Sequence, residues 1–195
     1  MNLYKKLPII LISLILTGCA TREYSINTTY GVLGKSIYKP NASYVQWNKD
    51  YAVTAAHFVS PDHIPDYKSE YIDVQFIKKK SEKIPVWTNF KPLEKVSMIG
   101  FPSIYKNEII IKGYIAGQQA VFMGSGVYEL VTGKIQEGMS GGPVFNEKDE
   151  VVGINIGYTI EPVSVNNNKE IHSLFLPYSE IQREWDIFQK TKETL

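Results

Sequence analysis

The stretch Glu137-Gly138-Met139-Ser140-Gly141-Gly142-Pro143-Val144-Phe145 constrains this chain more than any other. A glycine two positions before a serine, and Gly-Gly-Pro after it, is an unusual insertion between two apolar runs. Gly138 can take backbone angles closed to other residues, and Gly141 and Gly142 let another segment approach the backbone closely. Pro143 lacks a donor and presets φ just before the short apolar pair Val144-Phe145. The expected product is a tight turn that holds the Ser140 hydroxyl outward while backbone N–H groups converge beside it. Acyl transfer needs that arrangement, with a nucleophile next to donors that meet a developing oxyanion.

A serine hydroxyl attacks an amide at neutral pH only with a base and a group that orients the base. The chain has three histidines. His57 ends the apolar run Tyr51–Ala56, whereas His63 lies in the proline-broken loop Ser60–Asp66 and His172 follows Asn166-Asn167-Asn168; the last two read as surface residues. The orienting carboxylate is read as Asp73, at the head of the alternating strand Asp73-Val74-Gln75-Phe76-Ile77-Lys78, with Asp66 and Asp62 as competitors.

Thr54-Ala55-Ala56-His57, then Asp73-Val74-Gln75-Phe76-Ile77, then Gly138-Met139-Ser140-Gly141-Gly142-Pro143 resembles, in that order, a trypsin-like serine endopeptidase of the chymotrypsin fold. The order His, Asp, Ser separates this group from subtilisin-like and α/β-hydrolase arrangements. The resemblance runs from about residue 28 to 180. It implies an all-β fold of two packed small antiparallel β-barrels with a C-terminal α-helix, the sub-barrels spanning about 29–94 and 95–177. Only 15 residues separate His57 from Asp73. Members of the family carry a further hairpin there, so the first barrel is expected to be trimmed.

The same resemblance implies a catalytic triad of His57, Asp73 and Ser140, with the backbone N–H groups of Gly138 and Ser140 as the oxyanion hole. It implies that the strand at 151–157 pairs with substrate backbone, through Ile154, Asn155 and Gly157, and lines the specificity pocket. Lys134, six residues before Ser140, falls at the pocket floor or points to solvent. Met139 stands where zymogen members carry an aspartate that pairs with a freed N-terminus, so activation by N-terminal insertion is not expected. No metal or organic cofactor is implied. The partner is a polypeptide substrate; a catalytically silent module that grips a polypeptide, and an esterase, use the same residues.

Residues 1–18 read as an export signal: Lys5 and Lys6 precede the short apolar core Leu7–Leu16, and Leu16-Thr17-Gly18-Cys19 ends it. About ten apolar residues are too few to span a bilayer, which takes roughly twenty. The only cysteine, Cys19, sits where the lipobox of bacterial lipoproteins places its acylated residue. The expectation is an exported protein held to a membrane through lipidated Cys19, with 19–28 as a tether and 29–195 as the protease domain. Without a second cysteine no disulfide forms, so the domain rests on its core alone. Loss of the signal removes two lysines and no acid, so the formal charge of +1 becomes −1. No basic field exists to attract nucleic acid. A composition of 44% hydrophobic and 12% aromatic residues suits a folded β-rich domain. Near the C-terminus, Ile181, Trp185 and Phe188 fall on one stripe of a helix expected over 179–191, capped by Ser179.

Overall fold

The computed structural model describes residues 29–34, 41–59, 63–104, 107–122, 126–159, 163–165 and 168–194. Cys19, the signal, the tether and Asp62 lie outside the described residues.

Short strands broken by Gly, Pro, Asn and Asp build two antiparallel layers. In the first half, β1 (Tyr30–Leu33), β2 (Ala42–Gln46), β3 (Tyr51–Thr54), β4 (Tyr67–Lys68) and β5 (Gln75–Lys78) form a five-stranded sheet in the order β1-β2-β3-β5-β4. Among the described residues this sheet stays open, where the expectation was a small, trimmed barrel. The second half closes. β6 (Lys95–Gly100), β7 (Ile109–Phe122), β8 (Gly126–Val131), β9 (Pro143–Phe145), β10 (Val151–Tyr158) and β13 (Ser173–Pro177) form a barrel in the order β10-β13-β8-β7-β6-β9. β11 (Val163–Val165) and β12 (Asn168–Glu170) form a separate small hairpin.

Strand register explains the layers. Val53 sits opposite Val45 and Phe76, and these three face the barrel in a shared core with Ile99, Tyr128, Leu130, Ile154 and Ile156. One residue along, Ala52 sits opposite Ile77, and both join Leu33, Ala42 and Phe58 on the other face of the sheet. That alternation is the period of two expected of a strand. Val96, Met98, Ile115, Met139, Val144 and Phe175 fill the barrel interior. Each fully buried aliphatic or aromatic side chain contributes about 1.5–3 kcal/mol of transfer free energy, so the shared core welds the halves without a disulfide.

The terminal helix, α1 (Tyr178–Glu193), starts two residues earlier than the Ser179 cap implied. Pro177 holds the N-cap position and no side chain caps the helix; an extended proline stops the strand and presets the entry angle. The Ile181, Trp185 and Phe188 stripe packs inward. Trp185 meets Trp47, Tyr51 and Phe76, and Phe188 meets Tyr51, Tyr67 and Phe76 at ring separations of 4.9–6.1 Å. The helix follows the barrel in sequence yet covers the aromatic face of the first-half sheet.

Candidate active site

β3 delivers His57. Its last residues, with Ala55 and Ala56, are buried, and the chain then turns and brings His57 to the surface with its side chain 38% exposed. Asp73 lies in the bend before β5, with its side chain 1% exposed. Asp73 Oδ1 accepts the His57 backbone N–H at 2.7 Å, and Oδ2 meets His57 Nδ1 at 2.5 Å. A carboxylate this buried is tolerated because it is paired and hydrogen-bonded. A carboxylate facing Nδ1 favours the tautomer with the proton on Nδ1, which leaves Nε2 free to accept one.

Two further side chains hold that pair, and neither stood out in the sequence. Gln75 Nε2 donates to Ala55 O at 3.1 Å and Phe58 O at 3.0 Å, bracketing the His57 turn from both sides. Tyr128, fully buried on β8, accepts the Asp73 backbone N–H on its hydroxyl at 2.9 Å. Burial pushes the Tyr128 phenol up, so it stays neutral. A polar residue on an apolar strand looks generic until its partner, distant in the chain, is known.

The turn around Ser140 is defined by which of its backbone groups are taken. Gly138 and Gly141 have φ of 95° and 82°, which only glycine adopts without strain. Glu137 O accepts from Ser103 N at 3.0 Å, Gly138 O from Ser43 Oγ at 2.9 Å, Met139 O from Gly142 N at 3.0 Å, and Ser140 O from Ser43 N at 2.8 Å. Met139 N donates to Gln136 O and Gly141 N to Asn155 O. Over residues 138–142, only the N–H groups of Gly138 and Ser140 have no acceptor among the described residues. Because the N–H and C=O of a trans peptide point in opposite directions, the Ser103 bond to Glu137 O turns the Gly138 N–H away from Ser103.

The same turn rests on the His57 strand. A Cβ on Gly141 would stand 2.2 Å from Thr54 Oγ1 and 2.2 Å from Ser43 O, and Thr54 lies three residues before His57. The two segments therefore share one rim between sheet and barrel. Ser140 Oγ itself donates to Ile156 O at 2.9 Å, and among the described residues no hydrogen bond joins it to His57.

β10 changes character along its length. Asn155 is fully buried: its backbone N and O pair with Gly142 O and Gly141 N, and Nδ2 donates to Ile99 O at 2.9 Å. Ile154 is fully buried in the shared core. The strand bulges between Asn155 and Gly157, and beyond the bulge a Cβ on Gly157 would meet nothing within 4 Å. Lys134 is exposed, and its Nζ lies 4.5 Å from the centre of the Tyr158 ring. These two residues line a cavity of about 250 Å³ together with Ile104, Ile135, Gln136 and Glu137.

The remaining candidates fall elsewhere. Asp66 is exposed and accepts Lys78 N at 3.1 Å on Oδ2. His63 is half-buried. His172, expected at the surface, is 1% exposed, because the chain re-enters the barrel there with Thr159 Oγ1 accepting its N–H. Among the described residues no group of three or more His, Cys, Asp and Glu is arranged to hold a metal ion.

Residues 74–154 match the model of the trypsin-like peptidase domain family. No curated protein matches the chain in sequence. Among solved structures, the chain is similar to an inactive form of Rv3671c from M. tuberculosis H37Rv, at TM-score 0.62 and 15% identity over 78% of this chain and 83% of that one. It is similar to the MamO protease domain from Magnetospirillum magneticum, at TM-score 0.59 and 15% identity over 80% and 94%. A serine endoprotease from Yersinia pestis matches at TM-score 0.61 and 17% identity over 82% and 61%. The fold is chymotrypsin-like, with an open first sheet, a closed second barrel and a C-terminal helix.

Proposed function

We propose that this chain is a serine endopeptidase of the trypsin-like group, exported and anchored to a bacterial membrane through lipidated Cys19. One observation carries the reading: in a turn where every carbonyl from Glu137 to Ser140 is claimed, the Gly138 and Ser140 N–H groups are the two over residues 138–142 that find no acceptor among the described residues. Backbone donors left without a protein acceptor are taken by water or by a ligand oxygen. A tetrahedral oxyanion is such a ligand.

In this mechanism a substrate strand pairs with the β10 edge at Ile156–Tyr158, as main-chain recognition at a free edge does. Its N–H groups compete for the Ile156 carbonyl that now holds Ser140 Oγ. The released hydroxyl turns to His57 Nε2, which takes its proton as Oγ attacks the peptide carbonyl. The C–O bond forms, the carbonyl electron pair moves onto oxygen, and the Gly138 and Ser140 amides receive it. Asp73 holds the ring and steadies its positive charge. His57 then protonates the leaving amine, and water repeats the sequence on the acyl-enzyme.

The contact between Ser140 Oγ and Ile156 O also favours a second reading, a silent module that grips a polypeptide without turning it over. A fluorophosphonate probe on membranes from cells that make the full chain separates the two. The expected result is labelling in the membrane fraction, lost in Ser140→Ala and shifted to the soluble fraction in Cys19→Ser. A folded wild-type chain that takes no label makes it a binding module.

A further inference from the structure

We propose that Ser43, on β2 of the first-half sheet, is the positioning residue that shapes the oxyanion hole of the second-half barrel. The proposal rests on the endopeptidase reading above and names a residue that reading did not use.

Every polar atom of Ser43 is spent on the site. Its N–H donates to Ser140 O at 2.8 Å. Its Oγ donates to Gly138 O at 2.9 Å and accepts the Phe101 N–H at 3.0 Å. Its O accepts Thr54 Oγ1 at 2.6 Å. The side chain is fully buried, so no water substitutes for any of these partners without rearrangement. The two carbonyls it holds flank Met139 and belong to the peptide units that follow Gly138 and Ser140. A peptide unit is planar, so fixing a carbonyl fixes the tilt of its whole unit and the ψ of the residue before it. Ser43 therefore sets the backbone at both residues whose N–H groups are left free.

The third partner extends the clamp. Phe101 begins the segment that reaches Ser103, whose N–H holds Glu137 O, the carbonyl of the peptide unit that carries the Gly138 N–H. One hydroxyl thus joins the post-β6 segment to the turn, and Thr54 ties the same residue to the strand that ends at His57. The turn's glycines press directly on this residue: a Cβ on Gly142 would stand 3.1 Å from Ser43 Cβ, and one on Gly141 would stand 2.2 Å from Ser43 O. The site lies across two layers, and this residue sets their relative position at the reacting atoms.

A residue that acts only through oxyanion geometry affects the transition state and leaves ground-state substrate binding alone. The test uses the full chain in detergent, with wild type, Ser43→Ala and Ser43→Cys, the last placing a weaker donor on a larger atom. Readouts are kcat and KM on a peptide ester, the Ki of a peptide boronate that forms a tetrahedral adduct on Ser140, and the melting temperature. Ser43→Ala is expected to lower kcat about tenfold to a hundredfold, weaken the boronate by a similar factor and leave KM within about twofold. Ser43→Cys is expected to fall between them. A folded variant with unchanged kcat and boronate affinity overturns the proposal, as does a rise in KM with kcat intact. If neither variant folds, Ser43 is a folding residue and the proposal fails. A wild-type chain without turnover fails the endopeptidase reading instead, and is recognised before any variant is made.

Discussion

Replacing Gly138 by alanine tests the oxyanion turn in one atom. The new Cβ would stand 2.5 Å from Phe101 O and 2.7 Å from Ser103 N, where ordinary contact begins at 3.4 Å, and both neighbours are backbone. The residue also sits at φ 95°, and a left-handed conformation costs a non-glycine residue roughly 1–2 kcal/mol. The turn relieves both by rotating, which breaks the Ser103 N–Glu137 O bond and carries the Gly138 N–H away from its present direction. Loss of one oxyanion donor costs roughly 2.7–4 kcal/mol of transition-state stabilisation, or about a hundred- to a thousandfold in kcat. The strain alone lowers the melting temperature by only about 2–8 °C in a domain of this size. Steady-state kinetics on a peptide ester, with calorimetry on the same samples, is the assay. Gly157→Ala is the control, since its Cβ meets nothing within 4 Å, and its melting temperature should match wild type. A folded Gly138→Ala variant with kcat within about threefold of wild type would refute the assignment of that amide.

Asp73→Asn is expected to cut kcat by about four orders of magnitude with folding near normal, because the asparagine fixes the wrong imidazole tautomer. Asp66→Asn, at an exposed carboxylate, should change kcat less than twofold, and the reverse ranking by active-site titration would move the third catalytic role. Tyr67 donates to buried Glu184 at 2.8 Å, and burial first, then that carboxylate, pushes its phenol far above the ordinary 10.0. Its contribution to stability is therefore complete below pH 10 and is lost as pH rises toward the folded-state value. Melting temperatures from pH 8 to 11 should fall more steeply for wild type than for Tyr67→Phe, and parallel curves would contradict this account.

How much of this was legible in the sequence depends on the distance over which each feature is set. The tight turn at Gly138–Pro143 was legible because the glycine conformations that shape it are local. The alternation of Asp73–Lys78 was legible for the same reason, and in the structure Phe76 and Ile77 do fall on opposite faces, whereas Tyr51–Ala56 read only as an apolar run. Ser43 was not, since a serine in Ala-Ser-Tyr-Val-Gln looks like any polar strand residue and its Gly138 partner is 95 positions away. Tyr128 and Gln75 were missed on the same ground. His172 was read as exposed from the asparagines before it, yet it is buried where the chain returns to the barrel. The Ser140 rotamer, turned to Ile156, is set by contacts within the folded rim that no local pattern records. The helix cap was misplaced by two residues, Ser179 for Pro177, because a strand ending in proline initiates a helix without a side-chain acceptor.

The terminal helix carries a consequence for how the molecule comes to be made. Tyr67 and Glu184 meet across 117 positions, and the ring of Phe76, already against Trp47 and Tyr67, gains Trp185 and Phe188 only when the helix arrives. Vectorial synthesis thus delivers the histidine-bearing sheet long before its lid, leaving an apolar aromatic surface for chaperones to shield. The last turns of the polypeptide thus close the aromatic face of the first-half sheet, and a chain that stops short of Tyr178 lacks that cover.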